Sequence, residues 1–300
     1  MQSCIFLPAV LEMQSATDLR FKQRSFVLLR GMAKRKVKAS AAKVQYLKPL
    51  PAKGWAIIAG VIVIIGALIW WKDKKDVNQW EFIAKFGIKL PLRYAIHGID
   101  VSHHNAKINW DKLKATRSDN IGIDFVYIKA TEGATHLDRQ FKRNWGEAKR
   151  VGMRRGAYHF YNPRVMSDRQ VQNFIGQVRM EAGDLPPVLD LETHARKPDE
   201  IIIKGVKNWL VQIEAHYGVK PIIYVNEYFY KKYIAGNFDE YPLWLDGYSR
   251  THLDDLASDA QVLFWQHSEK GWADGIKGFV DYNVFLQEPD DWADMANAMQ

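Results

Sequence analysis

Eight short apolar runs recur along the second two-thirds of the chain, at residues 97–102, 125–131, 153–160, 186–192, 221–226, 242–248, 262–268 and 279–285. Runs of this length and apolarity read as strands. Helical patterns separate the first five, as in 199–217, where Ile202, Val206, Trp209, Leu210 and Ile213 fall on one helix face. The last three are joined by shorter or less helical stretches. Strands alternating with helices suit an α/β barrel or a doubly wound sheet. The count of eight and the change of connection favour a TIM-like barrel, β/α in its first part and plain β in its last, (β/α)5(β)3. Such barrels carry their chemistry at the C-terminal ends of their strands.

The fourth run ends Leu189-Asp190-Leu191-Glu192. Side chains alternate across a strand, so Asp190 and Glu192 share one face and the leucines the other. Alone, such a triplet is most simply a strand end with surface acids. In a barrel it holds two carboxylates side by side at the mouth.

The formal net charge of +8 does not belong to this region. Residues 1–54 hold 11 basic against 2 acidic side chains and 72–96 hold 6 against 3, whereas 97–287 balance at 25 against 25, and 288–300 hold 4 acids and no base. A domain built to track phosphates needs its charge on the folded unit, so no nucleic-acid partner is expected. Cys4 is the single cysteine, so no intrachain disulfide forms.

Residues 54–71 run 18 positions without a charge, between Lys53 and Lys72. As a helix this is about 27 Å, the thickness of a bilayer core. Trp55 at one end and Trp70 with Trp71 at the other suit the interfaces. A core helix would keep a polar face. A cleaved signal would have a shorter apolar region and then small residues, not Trp70-Trp71-Lys72. The run is therefore expected to span a lipid bilayer once. The twenty residues before it hold 7 Lys and Arg against 5 in the twenty after, which favours a cytoplasmic N-terminus. The expected location is the cell inner membrane, with the C-terminal domain on the periplasmic side. The expected organisation is a basic segment 1–53, a transmembrane helix 54–71, a stem 72–96, a barrel 97–287 and an acidic tail 288–300. Met32, heading Ala33-Lys34-Arg35-Lys36, is the expected start, with 1–31 untranslated.

The strand ends share a further pattern: Gly98-Ile99-Asp100-Val101-Ser102, Ile128-Lys129-Ala130-Thr131-Glu132-Gly133, Gly156-Ala157-Tyr158-His159-Phe160, Leu189-Asp190-Leu191-Glu192, Ile222-Ile223-Tyr224, Trp244 with Tyr248, Trp265-Gln266 and Val280-Asp281. In this order they resemble the glycoside hydrolase family 25 lysozymes, the muramidases that cut peptidoglycan, over about residues 97–287. Two departures lie at the mouth: His103-His104-Asn105-Ala106, where the family often has Gln-Gly, and Asp246, where a small residue is more usual.

The resemblance implies a glycosidase acting on peptidoglycan glycan strands, with no cofactor or metal. Glycoside cleavage needs an acid for the leaving oxygen and an anion for the positive charge growing on the sugar. By resemblance Glu192 is the general acid and then base. Asp190 stabilises the transition state, either directly or by orienting the 2-acetamido group, and both roles stay open. Asp100 and Asp281 complete the carboxylate site. Tyr158, Trp244, Tyr248 and Trp265 are expected to stack on sugar rings and Gln266 to bind hydroxyls. A silent peptidoglycan-binding tether and a metal-dependent hydrolase using His103, His104, Asp100 and His159 are the alternatives. Adjacent histidines on a strand point opposite ways, which disfavours the latter. Lys129 and Glu132 read as a rim ion pair or substrate contacts.

Overall fold

The computed structural model describes residues 51–77, 80–253 and 261–297. The basic segment before residue 51, with the expected start at Met32, lies outside the described residues. The chain divides into two units, Met1–Ile64 and Ile65–Gln300. The described part of the first belongs to helix α1 (Ala52–Val77), whose stretch Ala52–Trp70 is long and apolar enough to cross a membrane and is not buried by protein.

In the second unit, eight strands close into a barrel: β1 (His97–Val101), β2 (Phe125–Glu132), β3 (Arg154–Phe160), β4 (Val188–Asp190), β5 (Ile222–Val225), β6 (Leu243–Asp246), β7 (Val262–Gly271) and β8 (Val280–Phe285). Each of the eight runs read as a strand overlaps one of them; β2 and β7 continue past the runs 125–131 and 262–268, to Glu132 and Gly271. Strands β1 to β7 run parallel to one another around the ring, while β8 is antiparallel to both β7 and β1. Helices α2 (Trp110–Ala115), α3 (Phe141–Arg150), α4 (Ser167–Gln177) and α5 (Asp199–Tyr217) fill the first four connections. The fifth holds a helical turn, Glu227–Phe229, that runs into the π-helical Tyr230–Ile234. The connection from β6 to β7 passes through 254–260, outside the described residues. A hairpin joins β7 to β8.

Strand alternation divides the core in two. Ile99, Val126, Ile128, Leu189, Ile223 and Leu245 face outward toward the helices, whereas Phe125, Tyr127, Val188, Ile222, Trp244, Phe264 and Phe285 pack inside the barrel. Glycines make room for these inner rings: a Cβ on Gly98 would lie 2.5 Å from Phe125, and one on Gly156 would lie 2.1 Å from Tyr127. The helix α6 (Pro289–Asn297), in the acidic tail, plugs the barrel floor through Trp292, whose ring centre is 5.2 Å from Phe125 and 5.1 Å from Phe285.

Part of the expected stem belongs to the folded unit. Strands Trp80–Ile83 and Ile88–Pro91 form a hairpin, with Gly87 at φ +68° in its turn. Ile83, Phe86, Ile88 and Leu90 are buried in the outer core, and Phe86 packs 5.6 Å from Tyr282 of β8. Ile83, Phe86, Ile88 and Leu90 thus face β8 and its neighbours, while Phe82 points to solvent. Phe86→Ala is expected to destabilise the protein by about 3–5 kcal/mol in denaturant unfolding. A change under about 1 kcal/mol would show that the hairpin is only a linker.

Candidate active site

The C-terminal strand ends surround a cleft of about 320 Å³. Asp100 of β1, Asp190 and Glu192 at the end of β4, and Asp281 at the start of β8 all line it. Because β8 runs against the other strands, its beginning lies at the mouth, and its register sets Asp281 directly opposite Asp100. Opposed residues of an antiparallel pair share one face, so these two carboxylates are forced together. On β4 the leucines behave as the alternation requires: Leu189 and Leu191 are in the outer core, and the Leu191 N–H donates to the Tyr224 carbonyl at 3.0 Å. The chain therefore stays extended past Asp190 and brings Glu192 to the cleft.

A hydrogen-bond network fixes Asp100. Its Oδ2 accepts from Gln266 Nε2 at 2.7 Å and from Asn283 Nδ2 at 2.8 Å. The oxygens of those amides are themselves engaged: Tyr224 and Tyr248 hydroxyls each donate to Gln266 Oε1 at 2.6 Å, and Trp244 Nε1 donates to Asn283 Oδ1 at 2.9 Å. Both NH2 groups are thereby turned toward Asp100. Asp190 is treated differently, since its buried Oδ1 has no hydrogen-bond partner among the described residues.

Crowding and burial push the carboxyls toward their protonated forms. Burial raises Asp100 well above the usual range, Asp281 adds to it, and the two amides oppose it. Burial and then Glu192 raise Asp190, against the pull of Lys129. Glu192 is raised by the cleft walls and by Asp246, with Lys129 and the Tyr224 hydroxyl opposing; it remains the acid most open to solvent. Asp281 is pushed up to about 6 by burial, Glu269, Glu192 and Asp246. Lys129 bonds Glu132 at 2.8 Å and lies 4.6 Å over the Phe160 ring, and it lines the cleft.

Of the expected wall residues, Tyr158, Trp244, Tyr248 and Gln266 line the cleft. Trp244 is 2% exposed and forms floor rather than open wall. Trp265 does not reach the cleft. It neighbours Gln266 on β7, so alternation sends it outward, where its Nε1 donates to the Gly247 carbonyl and its ring meets Trp80 at 5.4 Å. His159 also faces away, buried between Thr131 at 2.7 Å and Gln170 at 3.0 Å. His103 is held by Asp138 at 2.7 Å, while His104 and Asn105 line the cleft. No group of three or more His, Cys, Asp and Glu among the described residues is arranged to hold a metal ion.

Asn283 and Tyr224 were not in the expected site. Asn283 stands two residues from Asp281, so the same alternation identifies it. Tyr224 lies within the fifth strand run, two residues after Ile222, which packs inside the barrel, so the same alternation turns it inward.

Residues 99–276 match the model of glycosyl hydrolases family 25. The uncharacterized protein YegX of Escherichia coli strain K12 is 41% identical over 204 residues, covering 68% of this chain and 74% of that protein. A family 25 glycosyl hydrolase from Bacillus anthracis superposes with a TM-score of 0.61 at 30% identity, covering 67% of this chain and 94% of that one. A bacterial lysozyme from Streptomyces coelicolor gives 0.62 at 27% identity, covering 68% and 98%.

The raised acids set a pH dependence of stability. Asp281 binds its proton more tightly in the folded chain, near 6, than at the ordinary Asp value of 3.8. The folded state then carries more protons between those values, so this contribution is complete below the lower value and is lost as pH rises through the upper one. His97, His159 and His267, which burial keeps neutral, act in the opposite direction. The expected readout is therefore a difference: the melting temperature of Asp281→Asn relative to the unsubstituted chain should rise from pH 5 to pH 8. A difference between the two proteins that stays constant across that window contradicts the raised proton affinity of Asp281.

Proposed function

Because this chain belongs to glycosyl hydrolases family 25 and is a glycoside hydrolase of that lysozyme and muramidase family, we propose that it is an N-acetylmuramidase. Its reaction is hydrolysis of the β-1,4 bond between N-acetylmuramic acid and N-acetylglucosamine in peptidoglycan. The observation that carries this reading is the convergence of Asp100, Asp190, Glu192 and Asp281 on one cleft.

The assignment of roles follows from their surroundings. Glu192 is accessible and holds its proton above the ordinary carboxyl range, which suits it to protonate the leaving oxygen and then to take a proton from water. Asp190 offers an unengaged buried oxygen. That acceptor can meet either the sugar's developing positive charge or the N–H of a 2-acetamido group. Asp100, immobilised by two amides, and Asp281 hold the field around the pair. Tyr158 and Tyr248 flank the sugar, and Gln266 and Trp244 brace the floor.

We read α1 as a single transmembrane anchor through residues 54–71, with the barrel on the periplasmic side of the inner membrane. Its support is the helix's length and uniformly apolar, unburied surface. The stem then shortens to the residues before Trp80, the barrel takes the (β/α)5(β)3 connectivity, and the acidic end closes its floor.

Purified protein is expected to release reducing ends from peptidoglycan, with fragments whose masses carry muramic acid at the reducing end. Glu192→Gln should lower the rate by about a hundred- to ten-thousandfold with an unchanged unfolding midpoint; a variant keeping most of its activity overturns the role of Glu192. Binding without any release by the parent chain identifies a silent tether instead. The full chain should also stay with membranes through an alkaline wash, and removal of residues 54–71 should release it. Release of the full chain by the wash contradicts the anchor.

A further inference from the structure

The cleft continues past its carboxylates onto the β7–β8 hairpin. Phe279 lines it and is 55% exposed, and Trp272, 49% exposed, stands against Phe279 with ring centres 5.0 Å apart and planes at 66°. Two large aromatic rings left half in water have no core packing to account for them, and a contiguous exposed apolar surface beside a cleft marks a contact site.

Their backbone is held firmly. The Trp272 N–H donates to the Phe86 carbonyl at 2.8 Å, and the Tyr282 hydroxyl donates to the Trp272 carbonyl at 2.7 Å. Asn105 Nδ2 donates to the Phe279 carbonyl at 3.3 Å. Gly87 leaves space for the indole, since a Cβ there would lie 2.4 Å from Trp272 Cδ1, and Gly278 at φ +85° turns the chain into Phe279. The rings thus stand on loop residues that flank the ends of β7 and β8 and are tied down by backbone hydrogen bonds, which lowers the entropy lost when a ligand covers them.

We propose that Trp272 and Phe279 form an outer subsite on which a sugar of the glycan strand stacks beyond the bond being cut. The inference rests on the muramidase reading, because a polymer cut internally must run out of the cleft across its rim. The C–H face of a pyranose is apolar and matches an aromatic face. His104 and Asn105, which also line the cleft, the latter bonded to the Phe279 carbonyl, supply polar neighbours for its hydroxyls.

The test uses the full chain carrying Glu192→Gln, so that bound glycan persists, and compares Kd for peptide-free glycan strands with Kd for tetrasaccharides. Trp272→Ala and Phe279→Ala are each expected to raise Kd for the strands about tenfold more than for tetrasaccharides, the size of one lost aromatic contact. Trp272→Tyr and Phe279→Tyr, which keep a ring, should recover most of it. Equal effects on both ligands, or none, overturn the subsite. So does a change confined to the elution volume on gel filtration, which would make the patch a contact between copies of the chain. Reducing-end release by the unsubstituted chain scores the muramidase reading separately, so that failure there leaves the Kd comparison to decide on the platform.

Discussion

The antiparallel pairing of β8 with β1 closes the barrel and, in the same step, creates the electrostatic problem around which the mouth is organised. A parallel eighth strand would bring its far end to the rim. The reversed strand brings its first residues there, and the register of Asp281 against Asp100 follows. A third and fourth carboxylate arrive from β4 because Leu189 and Leu191 take the outward positions. Closure of the hydrophobic barrel therefore fixes the acid cluster, without a separate device to gather it.

Four carboxyls in one concave site cannot all ionise at ordinary cost. Three features share the burden. Gln266 and Asn283 satisfy Asp100 with two amide donors, and each amide is oriented from behind by tyrosine or tryptophan donors. Lys129 supplies positive charge that favours the ionised forms of Asp190 and Glu192. Protons held above the usual range meet the rest of the cost, and a retained proton at an accessible Glu192 is what glycoside cleavage requires. Asp246 adds to the proton affinity of Glu192. Substitutions there are accordingly a means of tuning the acid rather than the fold.

The strands were legible because each is a discrete apolar run, and the neighbouring strand ends distinguished Asp190 and Glu192 from ordinary surface acids. Alternation of side chains would have sharpened the site further: it places Asn283 beside Asp281 and excludes Trp265 once Gln266 faces the cleft. What it does not contain is register. The pairing of Asp281 with Asp100 and the sharing of Asp100 by two amides depend on how distant strands slide against one another, which local periodicity leaves free. The hairpin at residues 80–91 was obscured for a similar reason, since its apolar face is matched to β8 and its neighbours, about two hundred residues away. The glycines at 98 and 156 gain their meaning only when Phe125 and Tyr127 occupy the barrel interior.

The central claim is that the barrel mouth holds protons that isolated carboxyls would have released. Carbon-13 NMR titration of the side-chain carboxyls, in protein labelled at Asp and Glu and assigned through Asp281→Asn and Glu192→Gln, measures this directly. The account predicts that Asp281 titrates near 6, with Asp100, Asp190 and Glu192 each displaced upward from their ordinary values. Four independent titrations near the ordinary carboxyl value of about 4 would contradict it.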